Sequence, residues 1–421
     1  MSDVRSMPSN PQPAPAADSP YAWTRLWVAL ALMTLGGAGM YSMAVVLPPL
    51  QAEFAIARGE ASLPFTLTML GFGVGGILMG KLSDRFGVIV PVMIGSMCLA
   101  LGFTSAGFAQ NLVQFAAIHG LLIGFGTSGT FVPLVADITL WFTKRRGIAV
   151  AIVMSGNYLA GTVWPPLMQH FIDSDGWRAT YIGTGLICLF AMPLLALALR
   201  RKPPAIAGLS AAPGARGASS DPDRPLGLAP DQLQWLLCVA GVACCVAMSM
   251  PQVHMVAYCA DLGFPAARGA EMLALMMGFG ILSRLASGWI ADHIGGLRTL
   301  LLGAALQATA LALFLPFDGL VALYVVSALF GLFQGGIVPS YALIVREYFS
   351  PREAGTRTGT VIMATLVGMA LGGWMPGWIF DLTGSYRAAF VNGIAWSLVT
   401  SGIALFLIAR SRRGPLVPQA A

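Results

Sequence analysis

Two stretches decide the fold: GKLSDRFG at Gly80–Gly87 and GWIADHIG at Gly288–Gly295. Gly80 and Gly288, Asp84 and Asp292, and Gly87 and Gly295 pair at one offset of 208 positions. Other pairs flank them. GFGTSGTFVP, ending at Pro133, parallels GLFQGGIVP, ending at Pro339. Trp141–Phe142 parallels Tyr348–Phe349, and GWR at Gly176–Arg178 parallels SYR at Ser385–Arg387. A chain that repeats itself over about 200 residues is built from two related units, and in membrane carriers such units enclose a central site.

The composition says where those units sit. Of 421 residues, 57% are hydrophobic and 10% are charged, with a mean hydropathy of +0.75. Soluble domains carry about 25% charged residues. The excess of apolar residues excludes a cytosolic enzyme, a nucleic-acid binder and a disordered chain, and leaves a polytopic membrane protein. The 50 glycines and 27 prolines suit membrane helices, where small residues allow close packing. The six cysteines lie in or beside apolar runs with no C-x-x-C pair, and read as small hydrophobes.

Twelve apolar runs follow one another, over 24–50, 59–81, 88–109, 111–141, 146–170, 176–200, 231–260, 268–290, 298–316, 318–345, 356–380 and 386–410. At 1.5 Å per residue each crosses a hydrocarbon core of about 30 Å. The fold class expected is therefore all-α, with twelve transmembrane helices in two six-helix bundles. The first bundle covers 23–200 and the second 231–410. Residues 201–230, rich in Pro, Gly, Ser and charge, read as a linker. Residues 1–22 and 411–421 read as tails, and the first of these lacks the apolar core of a signal peptide.

Orientation comes from the basic residues. With both termini inside, the outer loops hold Arg58, Arg178, Arg268 and Arg387, and Arg284 lies within a run. The other 19 of 24 basic residues are then cytoplasmic, as the positive-inside rule demands. A bacterial inner membrane is the expected location. The cluster Lys144-Arg145-Arg146 fits contact with lipid headgroups; no nucleic-acid partner is expected. GFGVGG at Gly71–Gly76 imitates a dinucleotide fingerprint, but it lies inside a run with no strand before it and reads as close helix packing.

The doubled motif G-x-L-x-D-R-x-G resembles the signature loop of the major facilitator superfamily, and the chain from Trp23 to Arg410 fits that family's plan. Within it, WFTKRRGIAVAIVMSGNYLAG (Trp141–Gly161), MPQVHMVAYCADLGF (Met250–Phe264) and SRLASGWIADHIGG (Ser283–Gly296) resemble the branch of monocarboxylate porters, bacterial lactate and oxalate carriers included. Two positions depart from it. The D-G-G-W-like signature near the first helix is replaced by GGAGMYSMAVVLPPL, and Gly280 stands where the branch has an aspartate.

Arg284 is the sharpest feature. It lies well inside a run, about 12 Å from Asp292 along the helix. A buried guanidinium is costly in a membrane and faces a cavity or a partner. It matches a carboxylate bidentately, and no acidic residue lies deep in any run. The resemblance implies the same role, binding of the substrate carboxylate. His254 is a candidate for substrate contact or proton handling, because histidine titrates near physiological pH; packing is the competing role. His119 has the same chemistry. Asn157, Tyr158, Tyr341, Gln334 and Tyr41 each place a hydrogen-bonding group within a run, again with packing as the alternative.

The motif residues form a second group. In the resembled family these loops latch the two halves in the outward-facing state. That assigns Gly80, Asp84, Arg85, Gly87, Gly288, Asp292 and Gly295 to gating. Asp137 is expected to pair with the motif arginine, and Glu347 occupies the matching place in the second half. His293 stands where the first copy has Arg85, so the second latch is expected to be weaker.

The function expected is secondary transport of small organic monocarboxylates such as lactate or pyruvate by alternating access. No cofactor is expected; the proton is the coupling ion and a monomer suffices. One deep cation matches one carboxylate. The alternatives are a proton-driven exporter of drugs or other metabolites and a membrane sensor that does not transport. No paired deep carboxylates, nucleophile–base pair or metal cluster suggests an enzyme.

Overall fold

The computed structural model describes residues 18–143, 145–201, 225–350 and 353–411. The expected tails at 1–17 and 412–421, most of the linker, and Lys144 lie outside the described residues. What is described is helical throughout. Eleven helices are long and apolar enough to cross a membrane. They are α1 (Pro20–Phe54), α2 (Arg58–Phe86), α3 (Ile89–Gly107), α4 (Leu112–Trp141), the stretch Gly147–Leu199, α7 (Pro230–Asp261), α8 (Ala266–Ile294), α9 (Gly296–Leu313), α10 (Leu320–Tyr348), α11 (Ala354–Thr383) and α12 (Tyr386–Ser411).

Gly147–Leu199, at 53 residues, would measure about 80 Å as one rod, far more than a bilayer. It breaks at Gly176, whose φ of +82° and ψ of +160° leave the helical region. The two limbs, α5 before Gly176 and α6 after it, are separate crossings. The first helix starts at Pro20, inside the expected tail. The Ser19 hydroxyl accepts from the Ala22 N–H (3.3 Å), and proline at N1 needs no donor.

The repeats seen in the sequence mark matched irregularities. α4 passes through a π-helical turn at His119–Gly124 and a turn before Val132; α10 breaks at Gly335–Gly336. The glycines permit close crossings: a Cβ at Gly335 would lie 2.5 Å from the Gly280 carbonyl oxygen. Gly71 of the fingerprint lookalike presses on the Gly120 carbonyl of α4, which is close helix packing. Gly87 and Gly295 end α2 and α8 with φ of +80° and +83°, a region that L-residues with a Cβ rarely adopt.

Leu70, Val74, Phe190, Leu194, Trp289, Val325 and Leu398 are exposed on the outer surface of the helices. Lipid solvates such a surface, and helices alone satisfy their backbone groups there. The two halves meet where α2 runs against α11 and α5 against α8, with α1 also touching α7. We call the end that holds Trp141, Leu199 and the motif loops the basic face, and the opposite end the far face.

Candidate functional site

Arg284 comes from α8 in the second half and reaches α5 in the first. Its Nη1 donates to the Met154 carbonyl (3.3 Å). Its guanidinium carbon sits 4.6 Å over the centre of the Tyr158 ring. Its Nε is enclosed and without a hydrogen-bond partner, and no ion pair reaches it among the described residues. A buried donor left unpaired costs about 1–3 kcal/mol, so this nitrogen sets Arg284 apart from the other described arginines of the fold.

A second arginine in the same molecule shows what that arrangement accepts. Arg25, at the basic end of α1, holds its Nη1 on the carbonyls of Leu199 (3.0 Å) and Arg201 (3.2 Å). Its Nε and Nη2 grip both oxygens of Asp137, at 2.7 and 2.8 Å, and its guanidinium lies 4.6 Å over the Trp141 ring. Arg284 repeats two parts of this arrangement, the carbonyl on Nη1 and the aromatic face beneath, and no carboxylate meets it among the described residues. The geometry suits a bidentate carboxylate.

Other polar groups gather around Arg284. The Tyr41 ring packs on α5 where a Cβ at Gly161 would lie 2.8 Å from its Cε1, and Tyr41 is close enough to Tyr158 and Arg284 to interact electrostatically with both. Asn157, half-buried beside Tyr158, lies one helical turn from Met154. The structure thus brings together Arg284, Tyr158 and Tyr41, with Asn157 next in register, where α1, α5 and α8 meet.

The remaining expected binding residues are engaged elsewhere. His119 is fully buried in the first half, with Nδ1 3.1 Å from the Thr68 hydroxyl and Nε2 3.2 Å from the Tyr181 hydroxyl. His254 is buried in the second half, with Nδ1 2.9 Å from the Tyr386 hydroxyl and Nε2 2.8 Å from the Gly373 carbonyl. In this conformation both rings have their nitrogens hydrogen-bonded within the protein. Tyr341 donates to the Cys244 sulfur (3.3 Å) within an apolar cluster of the second half. The Gln334 side-chain oxygen accepts from Gln252 (3.1 Å), and its Nε2 is buried without a partner.

The gating expectations are also corrected. Asp137 pairs with Arg25, not with Arg85; the pair ties α1 to the ends of α4 and α6 within one half. Breaking so buried a pair costs about 3–5 kcal/mol because the survivor stays charged and dry. Arg25→Ala is expected to lower the detergent-solubilised melting temperature sharply, while Arg25→Ala with Asp137→Asn recovers part of the loss. Equal melting temperatures across the set would show that the pair is not structural. Glu347 accepts from the Gly296 N–H (2.9 Å), capping α9 instead of meeting an arginine. Asp84, Arg85 and Asp292 are exposed and form no ion pair among the described residues. A Cβ at Gly288 would meet open space and one at Gly80 only an ordinary contact at 3.5 Å. Among the described residues, no ion pair joins the two motif loops to the opposite half in this conformation.

The far face is closed instead, by residues that sequence reasoning passed over. Arg58 of α2 grips Asp261 at the end of α7 through Nη1 and through Nη2 (3.0 Å). Asp381 of α11 accepts from the Arg58 N–H (2.9 Å) and the Gly59 N–H (2.7 Å), an acid placed on the positive end of a helix. The Arg58 guanidinium lies 3.9 Å over the Phe380 ring. Every one of these partners belongs to the other half. No spacing rule pairs residues 203 and 323 positions apart; in the sequence Arg58 is one outer-loop arginine among four.

The comparisons agree with this architecture. The family model described as Major Facilitator Superfamily matches residues 27–320 and 288–421. The chain is 28% identical to Monocarboxylate transporter 13 of Rattus norvegicus, over 82% of this chain and 78% of that one. It is 26% identical to Monocarboxylate transporter 11 of Homo sapiens, over 94% and 84%. Its fold is similar to the crystal structure of a bacterial homolog to human lysosomal transporter Spinster in an inward-facing and occupied conformation. That match has a TM-score of 0.70 at 16% identity, over 94% of this chain and 98% of that one. With eleven helices of membrane-crossing length among the described residues and a family match over most of its length, the chain belongs to the Major Facilitator Superfamily, as an integral-membrane transporter.

Proposed function

We propose that this transporter carries small organic monocarboxylates, with Arg284 as the anchor for the carboxylate. The likeness to Arg25 carries this reading: both arginines hold a carbonyl on Nη1 and an aromatic face under the guanidinium, and in that setting Arg25 binds a carboxylate. The relatives named monocarboxylate transporters support the substrate class. A single arginine with no second cation beside it suits one carboxylate better than two. The Tyr41 hydroxyl and the Asn157 amide have no protein partner among the described residues, and we assign them as donors to the acid's remaining oxygens.

The mechanism is alternating access. We take the basic face as cytoplasmic, since the charge bias orients membrane proteins that way. The conformation described here, tied at the far face and with no ion pair from the motif loops to the opposite half among the described residues, is then inward-facing. Substrate leaves or enters from the cytoplasm, its charge neutralises Arg284, and the halves rock until the Arg58 cluster opens and the motif loops close. A proton accompanies the anion, so that the loaded centre carries no added charge across the membrane.

The test is uptake of labelled lactate and pyruvate into proteoliposomes with and without an inward proton gradient. Saturable uptake stimulated by the gradient is expected. Uptake indifferent to the gradient would remove the proton from the mechanism. No uptake of either acid by folded protein would overturn the substrate class.

A further inference from the structure

We propose that Tyr158 is a positioning residue: its ring, seated in the gap that Gly280 leaves, aims the guanidinium of Arg284. This rests on the carboxylate reading above and assigns Tyr158 a role different from that of a hydrogen-bond donor to substrate.

The argument begins with helical register. Gly280 and Arg284 are four residues apart on α8, so they stand one above the other on the same face; Met154 and Tyr158 do the same on α5. The two pairs clasp across the boundary between the halves. A Cβ at position 280 would lie 2.5 Å from Tyr158 Cε1 and 2.6 Å from Cδ1. The ring thus occupies the space of the missing side chain, and no other residue type leaves it room.

From that seat it meets the guanidinium face at 4.6 Å, within cation–π range. An aromatic face fixes the plane of a guanidinium, and the Met154 carbonyl on Nη1 fixes its rotation within that plane. Together they fix the orientation of the guanidinium, and neither holder engages Nε or Nη2. Both holders are neutral, so the arginine keeps its full charge for the anion. Both also belong to the half opposite the arginine. When the halves rock, α5 and α8 shift against each other, the clasp changes, and the aim of the binding edge changes with it. Affinity for the carboxylate is thereby tied to the conformational state.

The test is the concentration dependence of lactate uptake in proteoliposomes. Tyr158→Phe keeps the ring and is expected to keep the parent KM. Tyr158→Leu is expected to raise KM roughly tenfold. Gly280→Ala evicts the ring and is expected to act likewise. Gly280→Ala combined with Tyr158→Leu is expected to be no worse than either alone, since both remove one contact. A parent-like KM in Tyr158→Leu overturns the proposal; so does a Tyr158→Phe variant as impaired as Tyr158→Leu, which would give the role to the hydroxyl. Strictly additive effects overturn it too. Should Gly280→Ala fail to fold, the Phe and Leu variants decide alone. Arg284→Ala in the same assay separates the two failures. If it loses uptake while Tyr158→Leu does not, the positioning role falls and the carboxylate reading stands. If it keeps uptake, the carboxylate reading falls first.

Discussion

Arg284→Ala is expected to abolish saturable carboxylate uptake while leaving the protein about as stable as its parent. The two parts of this result have one cause. Truncating one member of a desolvated charge pair costs about 2–5 kcal/mol, which is roughly 30-fold or more in affinity. Within the protein, however, Arg284 forms no ion pair among the described residues and buries an unsatisfied Nε. Its removal relieves an unpaired donor and gives up one long hydrogen bond to Met154 and the contact with the Tyr158 ring, losses of similar size to the gain. The contrast with Arg25→Ala is the informative comparison, because that variant loses a satisfied buried pair. Arg284→Lys keeps the charge but not the two-pronged edge, and is expected to fall between, with raised KM. Uptake kinetics and detergent melting curves on the three variants measure both parts. Saturable uptake by Arg284→Ala at the parent KM would remove the anchor from the site.

The second large effect is expected at the far face. Arg58→Ala removes the grip on Asp261 and the guanidinium stacked on Phe380, leaving only the backbone donors of Arg58 and Gly59 for Asp381. The conformation tied at the far face should lose population to one open there. Spin labels at Asp175 and Asp318, both exposed on the far face and in different halves, are expected to report a longer distance in Arg58→Ala than in the parent. Arg58→Asp combined with Asp261→Arg is expected to restore the shorter distance, because the attraction is kept with its ends exchanged. Unchanged distances in Arg58→Ala would show that the helix packing of α2 on α11 closes this face without the ion pair. Transport should also slow in Arg58→Ala, since alternating access needs both faces to close in turn.

Much of the fold was legible in the residues. The doubled motif, the apolar runs and the linker implied two six-helix units, and the helices observed begin and end near the expected positions. The sequence reading places a crossing on either side of Gly176, and the structure bends there because glycine tolerates the φ of +82°. The unpaired status of Arg284 was legible too: with no acid deep in any run, no local partner was available.

The rest depended on contacts between distant segments. Asp137 and Arg85 share a face of the membrane, but Asp137 takes Arg25, which α1 brings to the ends of α4 and α6. His119 and His254 look alike in sequence to a proton-handling residue, and only the Tyr181, Thr68, Tyr386 and Gly373 atoms around them reveal both rings as satisfied. Gly280 reads as a lost aspartate until the Tyr158 ring is seen in its place. The far-face cluster of Arg58, Asp261 and Asp381 joins three helices that no periodicity links. Hydropathy, motif content and charge are read along the chain, so the sequence by itself determined the all-helical membrane class, the doubled motif and the one deep cation. Which polar groups are already spent on each other, and which face is closed, are properties of pairs of segments, and only the tertiary packing decides them.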